Sequence, residues 1–288
     1  METRLTETLF SGSGESSAGA IAVGGPWSGA RAAESSDDLQ PGRSLRLDYA
    51  DRWMRSGIEA CAAPGFCSTV EADMTAARRR MDEGCRDGER ITVTGLMVYA
   101  VARALDRYPA MQRLMSHTHR CRPRQIHVAV SVSGGGCDFV APVVVVKDAA
   151  RRTPADITAD IAALAEVARA DQIRLMTQLR RWGWLVPFAW MRRWVMRGIL
   201  ARELWKNPDD APMFHVSGTG NVESFTPMIL LTTGILGVGQ MKEKAVVENG
   251  ETTTGLRATL SCGFDHRVWG GRNANLFLNE IKRTLETL

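Results

Sequence analysis

The sequence predicts a mixed α/β domain of α+β character, and three observations carry that reading. Helical periodicities alternate with strand-like runs, and some strand-like runs follow one another directly, which favours a mixed sheet over a doubly wound parallel one. No stretch approaches the ~18–20 uninterrupted apolar residues needed to cross a bilayer. With 288 residues, 44% hydrophobic and 24% charged, the chain is long enough for one large core.

The elements follow in chain order. From Ser11 to Ser36, 19 of 26 residues are Gly, Ser or Ala, too little apolar surface to offset ordering entropy, so residues 1–42 are expected to form a disordered tail. Pro41-Gly42 marks the change to a folded domain over 43–288. Leu47 to Ala62 reads as a helix stopped by Ala63-Pro64-Gly65, Phe66 to Asp73 as a strand, and Met74 to Gly84 as a charged surface helix. Leu96, Val98, Val101, Ala102 and Leu105 recur at helical spacing, so Thr92 to Tyr108 is a core helix with Thr92 or Thr94 as cap and Pro109 beyond its end. Ile126–Val132 and Phe139–Val146 are strands joined through Ser133-Gly134-Gly135-Gly136, a hairpin or bulged turn. Pro154 to Arg180 is helical. Residues 181–206 hold five of the eight tryptophans among arginines. Met213–Ser217, Gly234–Gly239 and Thr254–Gly263 are strand-like, and Asn273–Leu288 is a closing amphipathic helix.

Composition excludes several functions. A net charge of +4, with 31 Arg against 5 Lys, is no electrostatic footprint for nucleic acid. The six cysteines contain no Cys-x-x-Cys pair and read as reduced; with no basic-then-apolar leader at the N-terminus, a cytoplasmic location is expected. Gly218-Thr219-Gly220 and Gly234 to Gly239 lack nucleotide-loop spacing and read as strand turns. Asp37-Asp38 and Asp209-Asp210 read as solvated loop acids. His117 and His119 have no third ligand at metal-site spacing, so no metal is expected. His266 stands out between Asp265 and Arg267, followed by Gly270-Gly271, which places an imidazole at a strand end beside open backbone. The residues alone leave structural and catalytic roles open for it.

Phe264-Asp265-His266-Arg267-Val268-Trp269-Gly270-Gly271, followed by Asn275-Leu276-Phe277-Leu278, resembles the Asp-His-Arg-x-x-Asp-Gly signature and closing helix of the acyltransferase subunit of 2-oxoacid dehydrogenase complexes. That subunit's catalytic domain shares its fold with chloramphenicol acetyltransferase. Phe214 to Gly220 with Ser224-Phe225-Thr226-Pro227, Gly234 to Gly239, Ala102 to Pro109 and Phe139 to Val143 are similar to further family blocks in the same order, over roughly 45–288. The resemblance implies a mixed sheet flanked by helices and a homotrimer whose active sites lie between subunits. It also implies acyl-CoA as co-substrate, with no covalently bound cofactor. His266 would act as general base on a hydroxyl or thiol of a small acceptor, and Ser217 as donor to the oxyanion from a neighbouring chain. Asp265 and Arg267 would form an ion pair shaping the histidine's strand end.

Three departures qualify the resemblance. Gly270 stands where the family has Asp or Asn, removing a side chain that would help position the histidine loop or the acceptor. No lipoyl or subunit-binding segment is recognised before the catalytic part, nor an apolar tail after it, so a free trimer is expected. The segment 181–206 reads as an insertion forming an amphipathic helix, with Phe188, Met191, Val195 and Ile199 on one stripe, Trp190 and Trp194 beside it and arginines opposite. Its first reading is packing across the trimer or onto the sheet; a substrate wall built by Trp190 and Trp194 and contact with an anionic membrane are alternatives, and membrane contact is not expected.

These features favour a freestanding transferase taking an acyl group from acyl-CoA, or from an acyl carrier protein, to a small acceptor. Family members in actinobacterial biosynthetic clusters that O-acetylate a hydroxymethyl tetronate offer a compatible use, by analogy. Two alternatives stay open: a core subunit served by a separate lipoyl protein, and a non-catalytic trimeric ligand-binding or scaffold relative marked by Gly270.

Overall fold

A computed structural model describes residues 48–115, 120–133, 141–206, 208–218, 220–229, 232–248 and 250–288. The tail expected over 1–42, the glycines of the 134–136 turn and His117 and His119 lie outside the described residues.

Six α-helices and nine strands are described. The helices are α1 (Tyr49–Cys61), α2 (Thr75–Arg86), α3 (Val93–Arg107), α4 (Pro154–Trp182), α5 (Ala189–Lys206) and α6 (Gly271–Glu286). The strands are β1 (Gly65–Asp73), β2 (Leu114–Met115), β3 (Arg120–Cys121), β4 (Val128–Ser131), β5 (Val143–Val146), β6 (Phe214–Gly218), β7 (Gly234–Val238), β8 (Lys242–Glu248) and β9 (Glu251–Asp265). Seven strands form one sheet in the order β1-β9-β7-β6-β4-β5, with β8 also on β9. β4, β6 and β7 run parallel to one another, while β1, β7 and β8 are antiparallel to β9 and β5 is antiparallel to β4. The mixed sheet expected from directly consecutive strands is therefore present, and β4–β5 is the expected hairpin.

Local chemistry explains the helix boundaries. Thr92 caps α3 by accepting from the Gly95 amide, and Thr153 and Asp156 close a reciprocal capping box on α4 with Pro154 at its first position. One sheet face is dry: Val128 and Val130 of β4, Phe214 and Val216 of β6, Leu236 of β7 and Leu260 and Phe264 of β9 are buried with α3 and α6.

The strand β8 is absent from the expectations drawn from sequence. Its Lys242-Glu243-Lys244-Ala245-Val246-Val247-Glu248 is too charged to read as a core strand, yet Glu248 pairs Glu251, and Gly250 before Glu251 has φ +86°. The asparagine-glycine dipeptide was the available signal. Within the chain α5 packs against α1, so of the two partners expected for it the sheet is replaced by α1, while the other, packing across the trimer, concerns a neighbouring chain. Among the described residues no helix is long and apolar enough to cross a membrane.

Candidate active site

The site is built at the end of β9. Asp265 closes the strand, and the amides of Val268 and Trp269 donate to its carbonyl at 3.0 and 2.9 Å, turning the chain sharply. The buried Asp265 carboxylate accepts the Arg267 amide at 2.9 Å and the Arg267 guanidinium at 2.7 and 3.0 Å. The expected ion pair is thus present. It clips the turn on both sides of His266, and this hydrogen bonding holds the guanidinium pKa above its ordinary value. The His266 amide is tied to the Pro64 carbonyl at 3.0 Å.

The imidazole lies exposed at the turn, its ring 4.8 Å edge-on from Phe66. Its Nδ1 is 3.1 Å from the Trp269 carbonyl oxygen. A carbonyl can only accept, so this contact puts the proton of the neutral ring on Nδ1 and leaves the Nε2 lone pair free as a base. The orienting carbonyl is itself fixed, because the Trp269 indole is buried against Phe264, Phe277 and Phe214 with centroids 5.0–6.2 Å away. Core packing therefore sets the tautomer of a surface histidine.

Ser217 occupies the other polar position. It sits on β6 beside Gly237 of β7, which in turn pairs Ser261 of β9. Strand alternation puts Ser217 and His215 on one face, opposite buried Phe214 and Val216. Here Ser131 Oγ and His215 Nε2 share a hydrogen bond of 2.8 Å. The segment from Glu223 to Ile229 crosses this face close to the backbone: a Cβ on Gly237 would lie 2.5 Å from the Phe225 carbonyl, and Ser224 and Ser261 join hydroxyls at 3.0 Å. The sequence reading passed over Ser131 and His215; the signal was the two-residue spacing from His215 to Ser217.

Burial pushes the His215 imidazole down to about 4, from 6.5. Between these values the unfolded chain binds a proton that the folded chain refuses, so stability falls as pH drops from about 6.5 to about 4 and is flat below. The loss attributable to this group is on the order of 2–3 kcal/mol. His215→Gln is expected to narrow the gap between urea midpoints measured at pH 7 and pH 4 relative to wild type.

The register separates His266 from Ser217. His266 lies five residues beyond Ser261 along β9 and two strands away from β6, which at ~3.3 Å per residue and ~4.8 Å per strand is roughly 15–20 Å. One carbonyl group cannot meet both side chains of the same chain. Gly270 is the N-cap residue of α6 at φ −86°, ψ 148°, and a Cβ there would meet nothing within 4 Å, so neither backbone nor packing requires glycine. Trp190 and Trp194 lie on the exposed side of α5, 64% and 75% accessible, on a helix that packs against α1 and not among the strands that position His266 and Ser217. Among the described residues no group of three His, Cys, Asp or Glu could hold a metal ion.

Residues 39–178 and 213–288 match the family described as 2-oxoacid dehydrogenases acyltransferase (catalytic domain). The chain belongs to this family. The break in the match, 179–212, contains the Trp/Arg segment. The chain is 23% identical over 265 residues to the lipoamide acyltransferase component of the branched-chain alpha-keto acid dehydrogenase complex of Bacillus subtilis strain 168, covering 89% of this chain and 54% of that protein. It thus spans about half the length of the curated relatives that it matches over most of its own length. Among solved structures, a probable dihydrolipoamide acetyltransferase from Listeria monocytogenes aligns with a TM-score of 0.61 at 19% identity, over 86% of this chain and 95% of that chain. A dihydrolipoamide acetyltransferase from Azotobacter vinelandii, also at 0.61 and 19%, covers 85% and 91%. That protein was studied for the role of a serine, a histidine and an asparagine in its mechanism, the last two standing four positions apart.

Proposed function

We propose that this chain transfers a short acyl group from a CoA thioester, or from an acyl carrier protein, to the hydroxyl or thiol of a small diffusible acceptor. The observation that carries the reading is the hydrogen bond from His266 Nδ1 to the Trp269 carbonyl, which leaves Nε2 as the free base at the end of the family's signature segment. His266 takes the acceptor's proton as the new bond to the thioester carbonyl forms, and returns it to sulfur as the carbon–sulfur bond breaks. Negative charge on the carbonyl oxygen in between is met by the Ser217 hydroxyl. The register distance between the two supports a site shared by two chains of a homotrimer, His266 from one and Ser217 from its neighbour.

The test is thiol release from acetyl-CoA with a panel of alcohols and thiols that includes hydroxymethyl tetronates and dihydrolipoamide. Release that depends on an alcohol places the chain with freestanding O-acyltransferases, and the tetronate use stands or falls on that arm. Release only with dihydrolipoamide assigns it to a lipoyl-dependent complex instead. No release and no CoA binding would leave the non-catalytic scaffold reading.

The position of Gly270 supplies a second test. It stands four residues after His266, the separation between the histidine and asparagine named for the Azotobacter enzyme. Gly270→Asp meets open space at a favourable N-cap position, so the fold is expected to be unchanged or stabilised by a few tenths of a kcal/mol. A restored charge-assisted hydrogen bond of about 1.5 kcal/mol corresponds to roughly tenfold. Turnover on the best acceptor is therefore expected to rise about tenfold, read as kcat by thiol release.

A further inference from the structure

The helical segment that spans the break in the family match presents a surface away from the strands that position His266 and Ser217. Residues 172–202 contain seven arginines, four tryptophans and no Asp or Glu. The chain as a whole carries only +4, so the remainder is net acidic and the positive charge is concentrated here. The structure places the aromatic groups outward: Trp182, Trp184, Leu185, Phe188, Trp190 and Trp194 are each more than half exposed. Trp190, Trp194 and Arg197 recur at i, i+4 and i+7, which puts them on one stripe of α5, and Phe188 stacks on Trp190 at 6.5 Å. The Arg181 guanidinium lies 5.0 Å over the Trp182 ring.

This surface is held rigidly. The Trp53 indole of α1 donates to the Gly183 carbonyl at 3.1 Å. Arg192, 6% exposed, turns inward to donate to the carbonyls of Val186 and Pro187 and to the Ser56 hydroxyl. Arg193 pairs Glu59, and Arg180 pairs Asp48. An arginine is thus buried and the tryptophans are left in water, the reverse of what an amphipathic helix packed on its own protein would do. Meanwhile Arg174, Arg181 and Arg197 are exposed and have no ion pair among the described residues.

We propose that the end of α4, the 183–188 turn and α5 form a docking surface for the headgroup layer of an anionic membrane. Tryptophan gains at that layer because its ring meets the apolar side and its N–H the wet side, and arginine gains from lipid phosphates. A copy meeting this patch face to face would bring the same positive charge against itself, whereas an anionic headgroup layer complements the arginines and the tryptophans together; a trimer contact that sets the patch against a different face of the chain is the rival that the vesicle experiment separates. This reading places first the membrane contact that the sequence placed last, on the ground of the outward aromatic face and the unpaired arginines beside it.

The experiment is flotation of the full chain with vesicles of phosphatidylcholine alone or with a third of phosphatidylglycerol, at about 0.1 M salt, where charges are felt over ~10 Å, and at higher salt. Binding is expected only with phosphatidylglycerol, and it should weaken as salt rises. Arg181→Gln with Arg197→Gln should lower the partition coefficient about 30-fold, at ~1 kcal/mol per charge. Trp190→Ala with Trp194→Ala should lower it more than about tenfold by removing apolar area. All four side chains are exposed, and circular dichroism and the melting temperature verify that each variant folds. No floated protein with anionic vesicles would overturn the proposal, as would equal flotation with both vesicle types. Self-association abolished by the tryptophan pair in the absence of vesicle binding would overturn it as well, by assigning the patch to a second copy.

Discussion

His266→Ala is expected to lower acceptor-dependent thiol release from acetyl-CoA by about a thousandfold, with the loss in kcat and little change in KM for CoA. General-base catalysis by a positioned side chain contributes roughly 10²–10⁴. The ring is well placed to contribute in full, because its tautomer is fixed by the Trp269 carbonyl and that carbonyl by the aromatic cluster of Phe214, Phe264 and Phe277. The fold should tolerate the change. The ring is exposed and its described contacts are the Trp269 carbonyl and the edge of Phe66, while the Asp265–Arg267 clip and the tie from the His266 amide to Pro64 involve other atoms. A melting temperature within about 3 °C of wild type, consistent with a change near 1 kcal/mol, would separate lost chemistry from lost structure. A variant that keeps its turnover removes His266 from the mechanism and with it the proposed reaction.

The parts of the molecule legible in its sequence are those where one chemical demand dominates. Thr153 and Asp156 with Pro154 announce the start of α4, and the buried face of α3 follows from the spacing of Leu96, Val98, Val101 and Leu105. The strand end at Asp265 and the pairing with Arg267 were legible because those residues sit in a signature segment. What was not legible depends on which partner the fold brings. β8 looks like a charged loop until β9 supplies its backbone partners and Glu71 and Glu223 supply ion pairs for Lys244. His215 is unremarkable in sequence, and gains its meaning when β4 brings Ser131 within 2.8 Å of it. The orientation of α5 was misjudged for a similar reason: a helical stripe drawn by hydropathy assigns arginine to water, but the carbonyls of Val186 and Pro187 offer Arg192 a buried site that the stripe cannot anticipate.

Ser217→Ala is expected to reduce kcat by about 10²–10³, the cost of one oxyanion donor. The hydroxyl has no hydrogen-bond partner among the described residues, so its removal leaves no buried group unsatisfied and stability should hold. Loss of activity alone would not show that two chains build each site, but mixing the two variants would. In the proposed homotrimer, co-expressed His266→Ala and Ser217→Ala chains would mix, and under the shared-site arrangement a site works only when its histidine comes from a Ser217→Ala chain and its serine from a neighbouring His266→Ala chain. Random assembly gives each condition a probability of one half, so activity should recover to about one quarter of wild type. If both residues of one chain served the same site, every mixed trimer would be as inactive as its parents. The strand register already argues against that second arrangement, since bringing His266 and Ser217 of one chain to a common carbonyl would require closing a gap of roughly 15–20 Å across three hydrogen-bonded strands. Recovery to about a quarter would therefore establish that neighbouring chains divide the labour at each site, and the mass of the active species in solution would then decide whether those chains number three.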